Sequence, residues 1–187
     1  MGAFAYLSGM TSIILALGIT RIFTGIGTTL EKQKTIHIYW PHLLWALNLF
    51  LFISLEWWIL FRWQDFERWN FFIFLFLLLS PGVSFLLAVL LFPGTIQDTD
   101  FKQHFFKNRR WFFVAAALLP PLDAADTLLK GYAHFQDQGV IYPVFLSIVF
   151  AMTVLGAIWK NELYHKIFAV FFLVYILGFI FINLNTL

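Results

Sequence analysis

Six long apolar segments alternate with short polar connections along the 187 residues of the chain. They cover residues 4–27, 40–61, 69–92, 111–130, 141–159 and 163–183. Each is close to the roughly 20 residues that an α-helix needs to cross a bilayer, whereas strands of a membrane barrel would give segments of about 10 residues with alternating polarity. The pattern therefore predicts an all-α, polytopic transmembrane bundle of six helices. No connection has room for a soluble domain, so residues 1–187 are expected to form a single integral membrane domain.

The composition supports a membrane-embedded chain. Hydrophobic residues make up 61% of the sequence and charged residues 12%, with a mean hydropathy of +0.82, against the roughly 25% charged residues of soluble domains. A soluble globule of this size cannot hide so much apolar surface from water, so the lipid bilayer is the expected partner of the helices. The net charge of +2 gives no support for nucleic-acid binding. With no cysteine, disulfides, thiolate metal sites and thiol catalysis are excluded.

Lysine and arginine are distributed unequally between the two sides of the predicted bundle. With six crossings, the two termini and the connections 62–68 and 131–139 share one side, which carries Arg62, Arg68 and Lys130. The other side carries eight such residues, namely Lys32, Lys34, Lys102, Lys107, Arg109, Arg110, Lys160 and Lys166. Because basic connections stay in the cytoplasm, we expect both termini to be extracytoplasmic, in a plasma or inner membrane.

The long connection 93–110 has two interpretations. Phe101, Phe105 and Phe112 recur at helical spacing among basic residues. A basic amphipathic helix of this kind would lie on an anionic leaflet. The alternative is a plain basic loop that only sets the orientation of the bundle.

Arg21 stands within the first apolar segment, where a charge is unexpected. At about 1.5 Å per residue it lies toward the predicted cytoplasmic end of the first helix. Its guanidinium either reaches the headgroups or faces the bundle interior and binds a partner there. In the second case Gly18, Gly25 and Gly27 would let a neighbouring helix approach closely.

The second segment carries three polar residues, His42, Asn48 and Glu56. His42 and Asn48 are candidate partners for an interior Arg21; alternatively, His42 is interfacial and Asn48 makes a hydrogen bond that holds the bundle together. Glu56 lies near the outer end among aromatic residues. It either pairs with Arg62 at headgroup level or is buried and able to carry a proton.

Prolines interrupt the third and fourth segments. Ser-Pro-Gly occupies residues 80–82, and two consecutive prolines occupy positions 120 and 121. A proline removes one helical hydrogen bond and displaces the carbonyl four residues earlier. The carbonyls of Ala116 and Ala117 therefore need another donor, a water or a cation.

Two aspartates follow the double proline at a spacing that places them on one helix face. Asp123 and Asp126, with Glu56, put three carboxyls in the outer half of the bundle. Broken helices beside buried acids are typical of an ion or substrate site. The alternative is that Asp126 pairs with Lys130 four residues later and Asp123 reaches the outer interface. The absence of a visible internal repeat counts against an inverted-repeat transporter.

Several chemistries find no support in the sequence. Transmembrane haem needs paired axial ligands, and only His42 is suitably placed, since His37, His104, His134 and His165 are expected in or near loops. No zinc-protease motif, phosphate-binding loop or nucleophile elbow occurs. We expect no cofactor and no metal, and a non-enzymatic protein is favoured.

Three classes of function remain. The preferred one is a small channel or transporter, in homo-oligomeric form or with a partner, whose acidic outer site is linked to protons or cations. The alternatives are a non-catalytic subunit of a membrane complex and an outer-leaflet lipid-binding protein or enzyme. The candidate ligand- or ion-binding residues are Glu56, Asp123, Asp126, Arg21, His42 and Asn48.

Overall fold

The computed structural model describes residues 2–96 and 99–183, and this part of the chain is helical throughout its membrane-length segments. The helices are α1 (Ala3–Glu31), α2 (Trp40–Ile59), α3 (Phe71–Leu77), α4 (Leu79–Leu91), α5 (Phe101–Ala116), α6 (Leu119–Leu129), α7 (Tyr132–Asp137), α8 (Ile141–Ile158) and α9 (Glu162–Asn183), with a short 3-10 helix at Leu60–Trp63 after α2. The predicted all-α transmembrane bundle is confirmed.

Six stretches are long and apolar enough to cross a membrane. They are Phe4–Glu31, Trp40–Trp63, Phe71–Leu91, Phe101–Leu129, Ile141–Ile158 and Glu162–Phe181. Large apolar side chains cover their outer surface; Phe72 is 80% exposed and Ile141 is 84% exposed. Such a surface is stable only against lipid, so this is an integral membrane protein.

The fourth span begins ten residues earlier than predicted. Asp100 starts α5, since its carboxylate accepts the backbone N–H groups of Lys102 (2.8 Å) and Gln103 (3.0 Å). Residues 101–110 thus form neither a plain loop nor a separate interfacial helix. Phe101 and Phe105 at the start of α5 are buried in the bundle core rather than laid on a lipid surface.

The two spans with a proline in their interior are interrupted at the expected distance from the proline. The third span breaks at Leu78, next to Leu77, which lies four residues before Pro81. The fourth breaks at residues 117–118, because Pro120 and Pro121 remove the donors for the carbonyls four residues earlier. α6 then restarts with the prolines in its first turn, a position where a missing N–H does no harm.

Contacts between the connections show that successive spans run in opposite directions. At one end His37 bonds through its backbone to Thr99 and Phe101, and Lys102 forms an ion pair with Glu162. We call this the basic end; it holds the connections after α1, α4 and α8. The opposite end holds the 3-10 helix and α7, and we call it the acidic end.

Aromatic side chains fill the main core of the bundle. Trp45 of α2 contacts Phe112, Phe113, Phe168 and Phe172 of α5 and α9, with ring centroids 5.1–5.7 Å apart. A second, smaller core lies toward the acidic end. It consists of Leu7, Leu60, Trp63 and Leu77.

Two of the three glycines singled out in the first segment allow close packing. Gly18 faces Ile53 and the backbone of Phe85, and Gly25 faces Phe92. The expectation for Gly27 was wrong, because the space beside it is open.

Candidate ligand-binding cavity at the acidic end

A cavity of about 240 Å³ is lined by residues from each of the helices α1 to α9 and opens at the acidic end of the bundle. Its volume far exceeds the roughly 10–15 Å³ that a single water needs. All three carboxyls expected in the outer half, those of Glu56, Asp123 and Asp126, line it. The fold therefore brings together side chains that lie up to 70 residues apart in sequence.

Glu56 enters the cavity from α2. Its Oε2 accepts a hydrogen bond from Ser84 Oγ of α4 at 2.7 Å, and Ser80, one turn earlier, lies close to the same carboxyl. The other oxygen, Oε1, is buried without a hydrogen bond of standard geometry to any described residue. Glu56 makes no ion pair with Arg62, whose side chain is exposed at the mouth of the cavity.

Asp126 is held by two partners. Trp63 Nε1 donates to Oδ1 at 2.8 Å, and Lys130 Nζ forms an ion pair with Oδ2 at 2.5 Å. The Lys130 ammonium also lies 5.1 Å from the centroid of the Trp63 ring. The alternative interpretation, in which Asp126 pairs with Lys130, thus describes the observed contact. Both carboxylate oxygens are satisfied within the protein.

Asp123 differs from Asp126 because no cation binds its carboxylate directly among the described residues. Tyr142 of α8 donates to Asp123 Oδ2 at 2.8 Å. Tyr142 has a single hydroxyl proton, so Thr127, whose Oγ1 lies 2.8 Å from the phenol oxygen, is the donor in that second bond. Arg62 and Lys130 are near enough to attract Asp123 electrostatically without contacting it.

The carboxyls also act on one another. Asp123 and Asp126 are close enough to repel a charge on Glu56. Lys130 neutralises Asp126, whereas no lysine or arginine of the described residues contacts the carboxyl of Glu56 or Asp123. Glu56 is partly buried and Asp123 is exposed at the cavity, and carboxylates that line a cavity within a membrane protein favour a proton or a cation as partner.

Polarity changes sharply along the cavity. Charged and polar groups line the end nearest the connections, where Arg62, Lys130, His134 and Gln138 lie. Toward the middle of the bundle the wall is almost entirely apolar. It is formed by residues that include Trp45, Leu49, Phe112, Leu146, Val149, Phe168, Phe172 and Ile176.

Two further buried polar atoms on this wall have no partner. Thr11 Oγ1 of α1 and Trp45 Nε1 of α2 make no hydrogen bond within the described structure. Both residues line the cavity, and they are 2% and 5% exposed respectively. Buried polar groups are nearly always hydrogen-bonded, so these atoms and Glu56 Oε1 are exceptions within the described structure.

Arg21 lies outside this cavity. Its Nη2 donates to Phe92 O (2.8 Å) and Pro93 O (2.9 Å), just past the end of α4. The prediction that Arg21 binds His42 or Asn48 was wrong. The final carbonyls of a helix lack intrahelical donors and carry partial negative charge. Arg21 therefore occupies an apolar segment because it caps a neighbouring helix.

His42 and Asn48 also bind backbone carbonyls. His42 Nε2 donates to Leu91 O at 2.6 Å, again at the end of α4, and the ring stacks on Phe101. Asn48 Nδ2 donates to Ala169 O of α9 at 2.9 Å. The second contact is the bundle-holding hydrogen bond given as the alternative role of Asn48. Neither residue lines the acidic cavity.

The same capping arrangement recurs at the end of α8 and was missed from the sequence. Arg109 Nη1 donates to Gly156 O (3.1 Å) and Ala157 O (2.7 Å). His165 Nε2 donates to Trp159 O at 2.9 Å. His104 and His165 lie in the first turns of α5 and α9, near the connections as expected.

Sequence reasoning also missed the partners of the acids, namely Trp63, Ser84, Thr127 and Tyr142. A weak signal was present for each. Trp63, Thr127 and Tyr142 are hydrogen-bonding side chains in the halves of their spans that lie toward the acidic end, and Ser84 lies just past the middle of the third span. Their pairing with a given carboxyl depends on tertiary packing and has no counterpart in local spacing.

The fold and its apolar surface define the class, a polytopic helical membrane protein with a cavity open toward one end of the bundle. No protein-family model, curated protein or solved structure matches the chain.

Proposed function

We propose that this protein is a small membrane transporter or channel whose acidic cavity binds a cation in exchange for a proton. The observation that carries the proposal is the position of Glu56 and Asp123 in one cavity, with no lysine or arginine of the described residues in contact with either carboxyl. A carboxylate at the centre of a membrane helix costs about 2.5–3.5 kcal/mol on insertion scales, and less toward the edge. Leucine or alanine would serve helix packing better, so the acids are expected to hold a ligand.

The shape of the cavity supports a transporter over a permanently open channel. The cavity reaches from Arg62 at the acidic end to the apolar wall around Trp45. Beyond it, toward the basic end, the aromatic core is packed around Phe113, which is completely buried. A site accessible from one side only is the arrangement that alternating access requires.

The distribution of basic residues gives the direction. The basic end carries most of the lysines and arginines of the connections, so we place that end in the cytoplasm. The cavity then opens to the outside, and both termini are extracytoplasmic. A cation is taken up from, or released to, the extracytoplasmic side in this arrangement.

A non-catalytic subunit of a membrane complex is the second candidate. The complete satisfaction of Asp126 by Trp63 and Lys130 favours it, because this acid acts as a structural link between α6 and the 3-10 helix Leu60–Trp63. In that case the remaining acids would serve assembly, and the purified chain would show no transport of its own.

The test is proton movement in vesicles that contain the purified protein. Addition of Na⁺, K⁺ or organic ammonium ions should release protons from vesicles with the parent protein, as measured with a trapped pH-sensitive dye. Glu56→Gln and Asp123→Asn should abolish the signal. Asp65→Asn and Glu67→Gln, two exposed acids in the connection after α2, are the matched controls and should behave like the parent.

Two results would overturn the proposal. One is a parent protein that behaves like empty vesicles with every cation. The other is an unchanged signal in both cavity variants. Either result, with a chain that is stable only beside another protein, would leave the subunit as the better interpretation.

A further inference from the structure

We infer that the ligand of the cavity is an amphipathic organic cation, a protonated amine with an apolar body. This inference rests on the proposed cation site and specifies its substrate class. The two parts of such a molecule match the two ends of the cavity, where carboxyls lie nearest the connections and an apolar wall lies toward the middle of the bundle.

The charged end of the ligand is assigned to Glu56 and Asp123. The Glu56 carboxyl lines the cavity beside Ser80 and Ser84, and no lysine or arginine of the described residues contacts it. An ammonium group supplies donors and positive charge together. Asp123 keeps one oxygen, Oδ1, beyond the one that Tyr142 binds. An ammonium between these carboxyls replaces the repulsion between them with attraction.

The apolar end argues against a bare metal ion. Na⁺ and K⁺ are held by several oxygen atoms, and toward Val149 and Phe168 the cavity wall has few side chains with an oxygen, those of Thr11, Thr153 and Tyr175. The Thr153 hydroxyl already donates within α8. An apolar body placed against Leu49, Leu146 and Phe172 would be removed from water. A cation over aromatic faces is stabilised further.

The inference is tested by equilibrium dialysis of radiolabelled 4-phenylbutylamine against the purified full chain in detergent. Two competitors distinguish the contribution of the ammonium charge from that of the apolar body. Methylamine carries the charge without the apolar body, and 4-phenylbutanol carries the apolar body without the charge. 4-Phenylbutylamine should compete at least about 10-fold better than either. Glu56→Gln and Asp123→Asn should each weaken its binding by about 10- to 100-fold, the range expected for loss of a charge-assisted hydrogen bond.

Two substitutions on α8 test the apolar end. Leu146→Phe fills the cavity and should weaken 4-phenylbutylamine binding without affecting methylamine. Ile148→Phe is the matched control, because this residue is 46% exposed to lipid and does not line the cavity. Leu146→Ala should shift the preference toward longer amines, which keeps the test decisive if the phenylalanine variant does not fold.

The outcomes separate this inference from the proposed function. Acid-dependent proton release with Na⁺ or K⁺, but no specific binding of 4-phenylbutylamine, would overturn the organic-cation inference and leave the cation site in place. Equal binding of the amine and the alcohol, unaffected by Glu56→Gln, would mean partition into detergent and would also overturn it. Failure of every cation would remove both proposals.

Discussion

The ring of Phe92 packs directly against the backbone of Gly25. A Cβ atom on Gly25 would lie 2.3 Å from Cγ of that ring, and Phe92 is 1% exposed. The contact joins α1 to the end of α4, beside the carbonyls that Arg21 caps.

This contact makes Gly25→Ala destabilising. Overpacking of a buried site costs about 1–3 kcal/mol, which outweighs the roughly 1 kcal/mol that alanine adds to helix stability relative to glycine. Gly27→Ala, two residues on and facing open space, should be neutral or stabilising. Thermal unfolding in detergent compares the two. Partial recovery in the double variant Gly25→Ala, Phe92→Leu would confirm the clash, and equal melting temperatures for both single variants would contradict it.

Arg109 and Arg110 are adjacent but have different surroundings. Arg109 is 6% exposed and caps α8, whereas Arg110 is exposed. Arg109→Leu should lower the free energy of unfolding by about 1.5–3 kcal/mol, the range for a hydrogen bond to a charged group. Arg110→Leu should remain within about 0.5 kcal/mol of the parent. A similar loss in both variants would mean that net charge, and not the cap, matters.

Arg21 gives a graded version of the same test. Its two bonds go to neutral carbonyls, so removal leaves no opposite charge unpaired. Arg21→Leu should therefore be destabilised by about 1.5–3 kcal/mol and not by the roughly 3–5 kcal/mol of a broken buried ion pair. Arg21→Lys keeps a donor near the end of α4 and should fall in between. Identical melting temperatures for the three proteins would exclude the capping role.

The two aspartates of α6 should respond differently to neutralisation. Asp126→Asn breaks the ion pair with Lys130, whose side chain is only 9% exposed, and should lower the melting temperature clearly. Asp123→Asn removes no direct ion pair and should affect stability less while it impairs cation binding. Thermal unfolding measured beside dialysis separates these effects. The opposite order of stability would mean that Asp123 is the structural acid.

The orientation of the bundle can be measured by cysteine labelling, because the natural chain has no cysteine. Glu67→Cys at the acidic end and Lys34→Cys at the basic end both replace exposed residues. A membrane-impermeant maleimide added to intact cells should label the first and not the second. Labelling of Lys34→Cys alone would mean that the bundle is inserted the other way round.

The sequence was informative where a physical rule acts locally. Hydropathy predicted the six spans, and Pro81, Pro120 and Pro121 predicted the interruptions, since a proline acts on the carbonyl four residues before it. The sequence also predicted that Glu56, Asp123 and Asp126 lie in the same half of the bundle, because successive segments alternate in direction. The function of these acids stays a proposal.

The partners of Arg21 and His42 could not be predicted from the sequence. Their acceptors are backbone carbonyls, which every residue has, so no residue type in the sequence identifies which carbonyls are bound. The start of α5 was missed for a related reason. The mean hydropathy of residues 101–110 is too low for them to be predicted as part of a membrane span. Asp100 nevertheless caps the N-terminus of α5 just before them, so these residues belong to the helix that crosses the membrane.

The second, smaller core at the acidic end divides the bundle into regions of unequal local stability. Leu7, Leu60, Trp63 and Leu77 form a cluster separate from the main aromatic core, and the third span is interrupted beside it at Leu78. Units of this kind open independently of the rest of a protein. Amide protons of α3 should therefore exchange with solvent before those of α4 in the same span. If the proposed ligand binds in the cavity, the acidic end of the bundle can open locally to admit it while the basic end stays packed.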